Sequence, residues 1–103
     1  MNIVLNINGE NKSFSARKIT GMKYRRFLEI QSVLSEVEEK QLPFKLEHYD
    51  MLVTFLVEVF DNKFTEEELL EGLGADEIQV KWIEVAKEVD SRTKAGMQKL
   101  TKN

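Results

Sequence analysis

The sequence predicts a mainly α single domain with a small N-terminal β-hairpin and about four helices, an α+β fold. Three observations carry that expectation. Large apolar residues recur at every second position from Ile3 to Ile7, which run into Asn8-Gly9. Apolar residues recur at spacings of three and four in later stretches, and residues that start or stop helices stand at the ends of those stretches. A chain of 103 residues is long enough to close one core, burying roughly two thirds of its unfolded surface.

Ile3, Leu5 and Ile7 alternate with Asn2, Val4 and Asn6, and Asn8-Gly9 tolerates the positive φ of a tight turn. A hairpin over about residues 2–16 follows. Phe14 on the return segment falls on the Ile3/Leu5 face with a loop of two residues or of four, so one apolar face is defined while the register stays open. A lone hairpin is marginal in water, so that face must pack on something else.

Thr20 can cap a first helix over about 20–40, with Phe27, Ile30, Leu34 and Val37 along one stripe and Arg25, Glu29, Ser32, Glu36 and Glu39 on the wet side. Leu42-Pro43 ends it. Residues 46–61 are apolar nearly all round, which predicts a central, buried helix; about fifteen residues is long for the strand that their Val and Phe content would also suit. A third helix over 65–72 has the sharpest start. Thr65 and Glu68 form a capping box, Phe64 and Leu69 a hydrophobic staple, and Glu66, Glu67 and Glu68 stand where the helix dipole favours negative charge. Gly72 or Gly74 stops it. Asp76 can cap a last helix over 76–95, with Ile78, Trp82, Val85, Ala86 and Val89 on its apolar face and Gly96 at its end. Residues 1–96 are therefore expected to be one globular domain, and 97–103, polar apart from Met97 and Leu100, a frayed tail.

Composition excludes several function classes. Without cysteine there is no disulfide, thiol nucleophile or thiolate metal site, and an intracellular setting is the default. The start Met1-Asn2-Ile3-Val4 lacks the basic opening and long apolar stretch of a secretory signal, and no window approaches the ~20 apolar residues of a membrane span. The net charge of −3 conceals a polarity: residues 1–28 carry +5, residues 29–77 carry −11 and residues 78–103 carry +3. Complementary patches of this kind can steer head-to-tail association between copies, although solvated faces of a monomer would give the same count.

Catalytic and metal chemistry finds no foothold. A single histidine, His48, rules out triads and paired-histidine metal sites, and a histidine at a helix start has an ordinary structural role. Asp61-Asn62-Lys63 opens like a calcium loop, but a lysine holds a ligand position and Glu66 stands where the turn glycine belongs. Gly72-Leu73-Gly74 lacks a third glycine at dinucleotide-binding spacing and follows a helix. No enzyme activity, metal or cofactor is expected. The basic cluster Arg17, Lys18, Lys23, Arg25 and Arg26, interleaved with Tyr24 and Phe27, leaves a nucleic-acid module as the competing class. Against it stand the acidic pI near 5.2 and the better use of those aromatics in the helix's own apolar stripe.

Three stretches together resemble a known family. They are Ile3-Val4-Leu5-Asn6-Ile7-Asn8-Gly9-Glu10 followed by Phe14 and Ala16; Thr20-Gly21 with Arg25-Arg26 running into Leu28-Glu29-Ile30-Gln31; and Val57-Glu58-Val59-Phe60-Asp61-Asn62-Lys63-Phe64-Thr65 continuing to Glu71-Gly72-Leu73. With the order of elements, the likeness covers about residues 2–90. It is to the tail assembly chaperones of long-tailed (siphovirus-type) bacteriophages and prophages of Gram-positive bacteria, in the short form encoded before the tape-measure protein. The resemblance implies a protein of the host bacterial cytoplasm that coats the helical tape-measure protein, keeps it soluble and recruits the major tail protein. It also implies self-association into an oligomer, and a longer frameshifted form whose junction would fall in Ser91–Asn103.

Coating a long apolar helix needs many small copies, each exposing a modest groove, with strength gained from number. Phe60, Phe64, Leu69 and Leu73 around the short helix, together with Trp82, are the candidate partner-binding residues; the alternative is that these five close the core. Arg17, Lys23, Arg25 and Arg26 are the candidate electrostatic or oligomer contacts, able to receive the acidic middle of a neighbouring copy or of a partner.

Overall fold

The computed structural model describes residues 1–16 and 18–101, with side chains described through residue 97. Strands β1 (Asn2–Ile7) and β2 (Glu10–Ser15) form an antiparallel hairpin. Helices α1 (Gly21–Glu39), α2 (Leu46–Val59), α3 (Glu66–Gly72) and α4 (Ala75–Thr101) follow.

Local chemistry settles the hairpin register. Asn8 and Gly9 have φ of 54° and 83°, the two positive values of a two-residue turn whose twist suits a hairpin. Of the two loop lengths open in the sequence, the shorter is found, with Ile3 opposite Phe14 and Leu5 opposite Lys12. Ile3 and Leu5 are fully buried, and Phe14 lies 5.0 Å from Phe64 between ring centres.

Helix α2 is the central element, touching α1, α3 and α4. Phe55 stands at the junction, 6.3 Å from Phe27 of α1 and 5.4 Å from Trp82 of α4, while Phe60 and Phe64 pair at 5.8 Å beneath the hairpin. Two aromatic clusters thus join all the layers, each pair adding specific ring geometry to the area it buries. His48 closes the start of α2: the Lys45 N–H donates to its Nδ1 at 2.9 Å, satisfying one of the amides a helix start leaves open.

Both α1 and α2 end in the same backbone device. The Leu42 N–H reaches the Val37 carbonyl at 2.8 Å and Gln41 takes φ 53°. The Asn62 N–H reaches the Val57 carbonyl at 3.0 Å, with Asp61 at φ 59°. These are Schellman closures with non-glycine residues in the left-handed position. Pro43 comes after the closure, so α1 is already turned off before it.

The glycines do different work from that expected. Gly72 does end α3, but as a contact: a Cβ there would stand 3.0 Å from Leu5 Cβ and 3.2 Å from the Asn6 carbonyl oxygen, so its lack of a side chain lets α3 lie on β1. The residue preceding α4 is Gly74, whose N–H donates to Glu77 at 3.4 Å, and Asp76 lies inside the first turn rather than capping it. Gly96 does not stop α4, which runs on to Thr101. A glycine terminates a helix by taking a left-handed φ, and among the described residues Gly9 alone does so. The expected tail from residue 97 is therefore helical through Thr101; residues 102 and 103 lie outside the described residues.

Helix α4 gives the molecule its shape. Among the side chains described, its buried positions are Ile78, Trp82, Val85 and Val89, and residues 94–97 are exposed. A helix of 27 residues is about 40 Å long. The radius of gyration of 14.8 Å accordingly exceeds the ~13 Å of a compact chain of this size, and the extents are 52 × 35 × 19 Å.

Candidate partner-binding surface

Arg26, near the start of α1, meets Glu58, near the end of α2, so the two helices run in opposite senses around the loop that joins them. Their outward faces diverge to leave an open groove of about 360 Å³. Its floor is apolar: Ile30 of α1, and Met51 and Phe55 of α2. Ile30 and Phe55 are buried core residues that close the bottom, and Met51, half-buried, supplies the adaptable unbranched side chain that is exposed there.

The walls are charged, and mostly of one sign. Arg26 and Glu29 stand on the α1 side; Glu47, Asp50, Thr54 and Glu58 stand on the α2 side. The single guanidinium is shared between Glu29 at 3.4 Å and Glu58 at 3.5 Å, with Arg25 also 3.5 Å from Glu29. Thr54 donates its hydroxyl to Glu66 at 2.7 Å. Asp50 makes no ion pair among the described residues, and Glu47 is 3.8 Å from His48 Nε2. Since Nδ1 of that ring accepts a hydrogen bond, a neutral ring carries its proton on Nε2, facing Glu47. Four carboxylates against Arg26 on the rim and Arg25 beside it leave the rim negative.

At the Glu47 end the groove meets an apolar tip. Leu42 and Phe44 in the α1–α2 connection and Leu46 at the first position of α2 are 49 %, 46 % and 74 % exposed, and Phe44 lies 5.7 Å from the His48 ring. Three large apolar side chains held outward over five positions form an unusual surface, because isolated exposed apolar residues are common but a run of them marks a contact site.

Of the residues singled out from sequence, Arg26 alone lines the groove. Phe60, Phe64, Leu69 and Trp82 are 0 %, 3 %, 0 % and 8 % exposed, which is the core-closing alternative, and Leu73 is half-buried against the same core. Of the electrostatic set, Lys23 is buried, donating to the Lys18 carbonyl at 3.0 Å and pairing with Asp61 at 2.8 Å. Arg25 and Arg26 are exposed beside carboxylates, and Arg17 lies outside the described residues. Phe27 is sealed in the core and offers no face to a base, while Tyr24 is half-buried with one face stacked on Phe27 at 6.2 Å.

Sequence reasoning missed the groove and the tip, although both left traces. Leu42-Pro43-Phe44-Lys45-Leu46 places three large apolar residues in and just after a connection, where polar turn residues are usual. Glu47, Asp50, Thr54 and Glu58 recur at spacings of three and four along an otherwise apolar helix, marking the one face of α2 that nothing covers.

The described residues hold no group of three or more His, Cys, Asp or Glu placed to bind a metal, and no helix among them is long and apolar enough to cross a membrane. What they present is a small helical domain with an apolar groove between two helices, the kind of surface on which one protein holds a helix of another. The chain belongs to the phage tail chaperone protein family, whose profile matches residues 1–103. Comparison with curated proteins and with solved structures found no match.

Proposed function

We propose that the chain binds the tape-measure protein of its phage in the host cytoplasm, keeps that long helical polypeptide soluble while the tail is built, and recruits the major tail protein to it. Membership of the phage tail chaperone family over the whole sequence carries this reading. The groove and the apolar tip supply the physical means, since a helix laid in a shallow apolar trough gains affinity from a few side chains per copy. Many copies along one client multiply those weak contacts. Self-association belongs to the same proposal, because the basic, acidic and basic thirds of the sequence offer complementary faces to neighbouring copies.

The test is co-expression with the tape-measure protein of the same phage. The expected result is that the client moves from the pellet to the soluble fraction and co-purifies with the chaperone, with major tail protein joining the complex. A client that stays insoluble, or is soluble without retaining this chain, would remove the proposal.

A further inference from the structure

We infer that the groove between α1 and α2 takes a helix whose apolar ridge is flanked by lysine or arginine, an inference that rests on the chaperone reading above. Three features of the groove select this occupant.

The first is the nature of its walls. Both are α-helices, whose interior N–H and C=O groups are consumed by their own hydrogen bonds, so the groove offers no free main-chain ladder. An extended peptide would be held in such a place by main-chain bonds to a sheet edge, and there is none here. An occupant laid in an apolar trough must bring a backbone already satisfied, which is what a helix does.

The second is charge. Glu29 on one side and Glu47, Asp50 and Glu58 on the other flank the apolar floor, while Arg26 is already shared between two of them. A helix bearing acidic flanks would meet like charge along the α2 wall, where Glu47, Asp50 and Glu58 stand, while on the α1 wall Glu29 is offset by Arg25 and Arg26. Cationic flanks would meet Asp50 and Glu47, which have no strong cation of their own, and their long aliphatic stems would extend the apolar contact.

The third is length. From Glu47 to Glu58 the α2 wall rises about 16 Å, which matches about three turns of a client helix. Beyond Glu47 the apolar tip of Leu42, Phe44 and Leu46 continues the same surface, so one end of the occupant would rest on it.

The experiment uses the full chain and two fluorescein-labelled helical peptides of about fourteen residues. They share one leucine ridge and differ only in flanking residues, lysine in one and glutamate in the other. Anisotropy at low salt is expected to show the lysine peptide binding at least tenfold more tightly than the glutamate peptide, with the gap narrowing as salt rises. The double variant Glu47→Lys, Asp50→Lys changes only rim side chains and is expected to reverse the preference, a gain of binding that a misfolded protein could not give.

Equal binding of the two peptides, or an unchanged preference in the double variant, overturns the inference. So does a wild-type chain that binds neither peptide because a second copy fills the groove, revealed as a concentration-dependent oligomer that the double variant dissolves. The chaperone reading is tested apart from this: if wild type and double variant hold the tape-measure protein equally, the groove assignment falls and the chaperone reading stands. If wild type binds the lysine peptide but never retains the tape-measure protein, the chaperone reading falls instead.

Discussion

The Lys23 ammonium lies 2.8 Å from Asp61 Oδ1, and this contact ties the start of α1 to the turn that closes α2. Lys23 is 9 % exposed, so its charge is held largely out of water by two partners, the Asp61 carboxylate and the Lys18 carbonyl. The hydrogen bond from Lys23 is the main reason the Asp61 carboxyl titrates below its ordinary value, against a smaller opposing effect of desolvation. A depressed carboxyl pKa contributes stability that is present above the ordinary value of 3.8 and lost as pH falls through the lower, folded-state value. Denaturation midpoints measured from about pH 6 to about pH 2 should therefore fall at the acid end and fall less steeply in Asp61→Asn. Some slope will remain, because Glu36 is lowered in the same sense by its hydrogen bond with Lys40. At neutral pH, Asp61→Asn should destabilise more than Lys23→Met, since the first leaves a buried ammonium without its counter-ion while the second keeps the packed stem and removes the charge.

Gly72 at the end of α3 and Gly96 within α4 should respond oppositely to alanine. Gly72→Ala places a methyl group against Leu5 Cβ and the Asn6 backbone, atoms of a paired strand that cannot swing aside. The expected cost is about 1–3 kcal/mol, outweighing the higher helix propensity of alanine. A Cβ at Gly96 would meet nothing within 4 Å, and the residue sits within α4. Gly96→Ala should stabilise by up to about 1 kcal/mol. Urea denaturation of the two variants beside wild type checks both signs at once.

Gln41 holds the left-handed position of the α1 closure at φ 53°, a conformation that a side chain disfavours and glycine does not. Gln41→Gly should raise the melting temperature, by an amount corresponding to roughly 0.5–1 kcal/mol. A lower melting temperature would mean that the Gln41 side chain contributes more than the backbone strain it imposes.

The parts of this fold that were legible in the sequence are those whose causes lie within a few residues. Asn8-Gly9 dictates its own turn. Thr65 and Glu68 cap α3 reciprocally, at 3.0 Å and 2.9 Å, because both partners belong to one turn of chain. Spacing placed Phe27 and Ile30 in the core, but Leu34 and Val37 on the same stripe are only half-buried, since the ring contact from α4 reaches α1 at Phe27. Gly72 read as a helix stop because its strand neighbours are some 67 positions away, at Leu5 and Asn6. Lys23 read as one of a surface basic cluster because Asp61, which allows it to be buried, is itself far along the chain. The candidate site suffered most from this: pattern identifies large apolar residues but not whether another element covers them, so Phe60, Phe64, Leu69 and Trp82 were indistinguishable from a binding face.

That last distinction can be measured, because core and surface residues affect stability and client binding in opposite proportions. Leu42→Ser and Leu46→Ser alter side chains that are about half or more exposed, and each should change stability by no more than about 0.5 kcal/mol. Trp82→Ala removes a ring packed on Phe27 at 5.6 Å and Phe55 at 5.4 Å, and should cost about 3–5 kcal/mol. In the co-expression assay, the two serine variants should retain native denaturation curves yet recover severalfold less soluble tape-measure protein. Trp82→Ala should lose client only in step with its own loss of folded protein. Serine variants that hold the client as wild type does would exclude the α1–α2 tip from the contact and return attention to Leu73, the half-buried member of the set chosen from sequence.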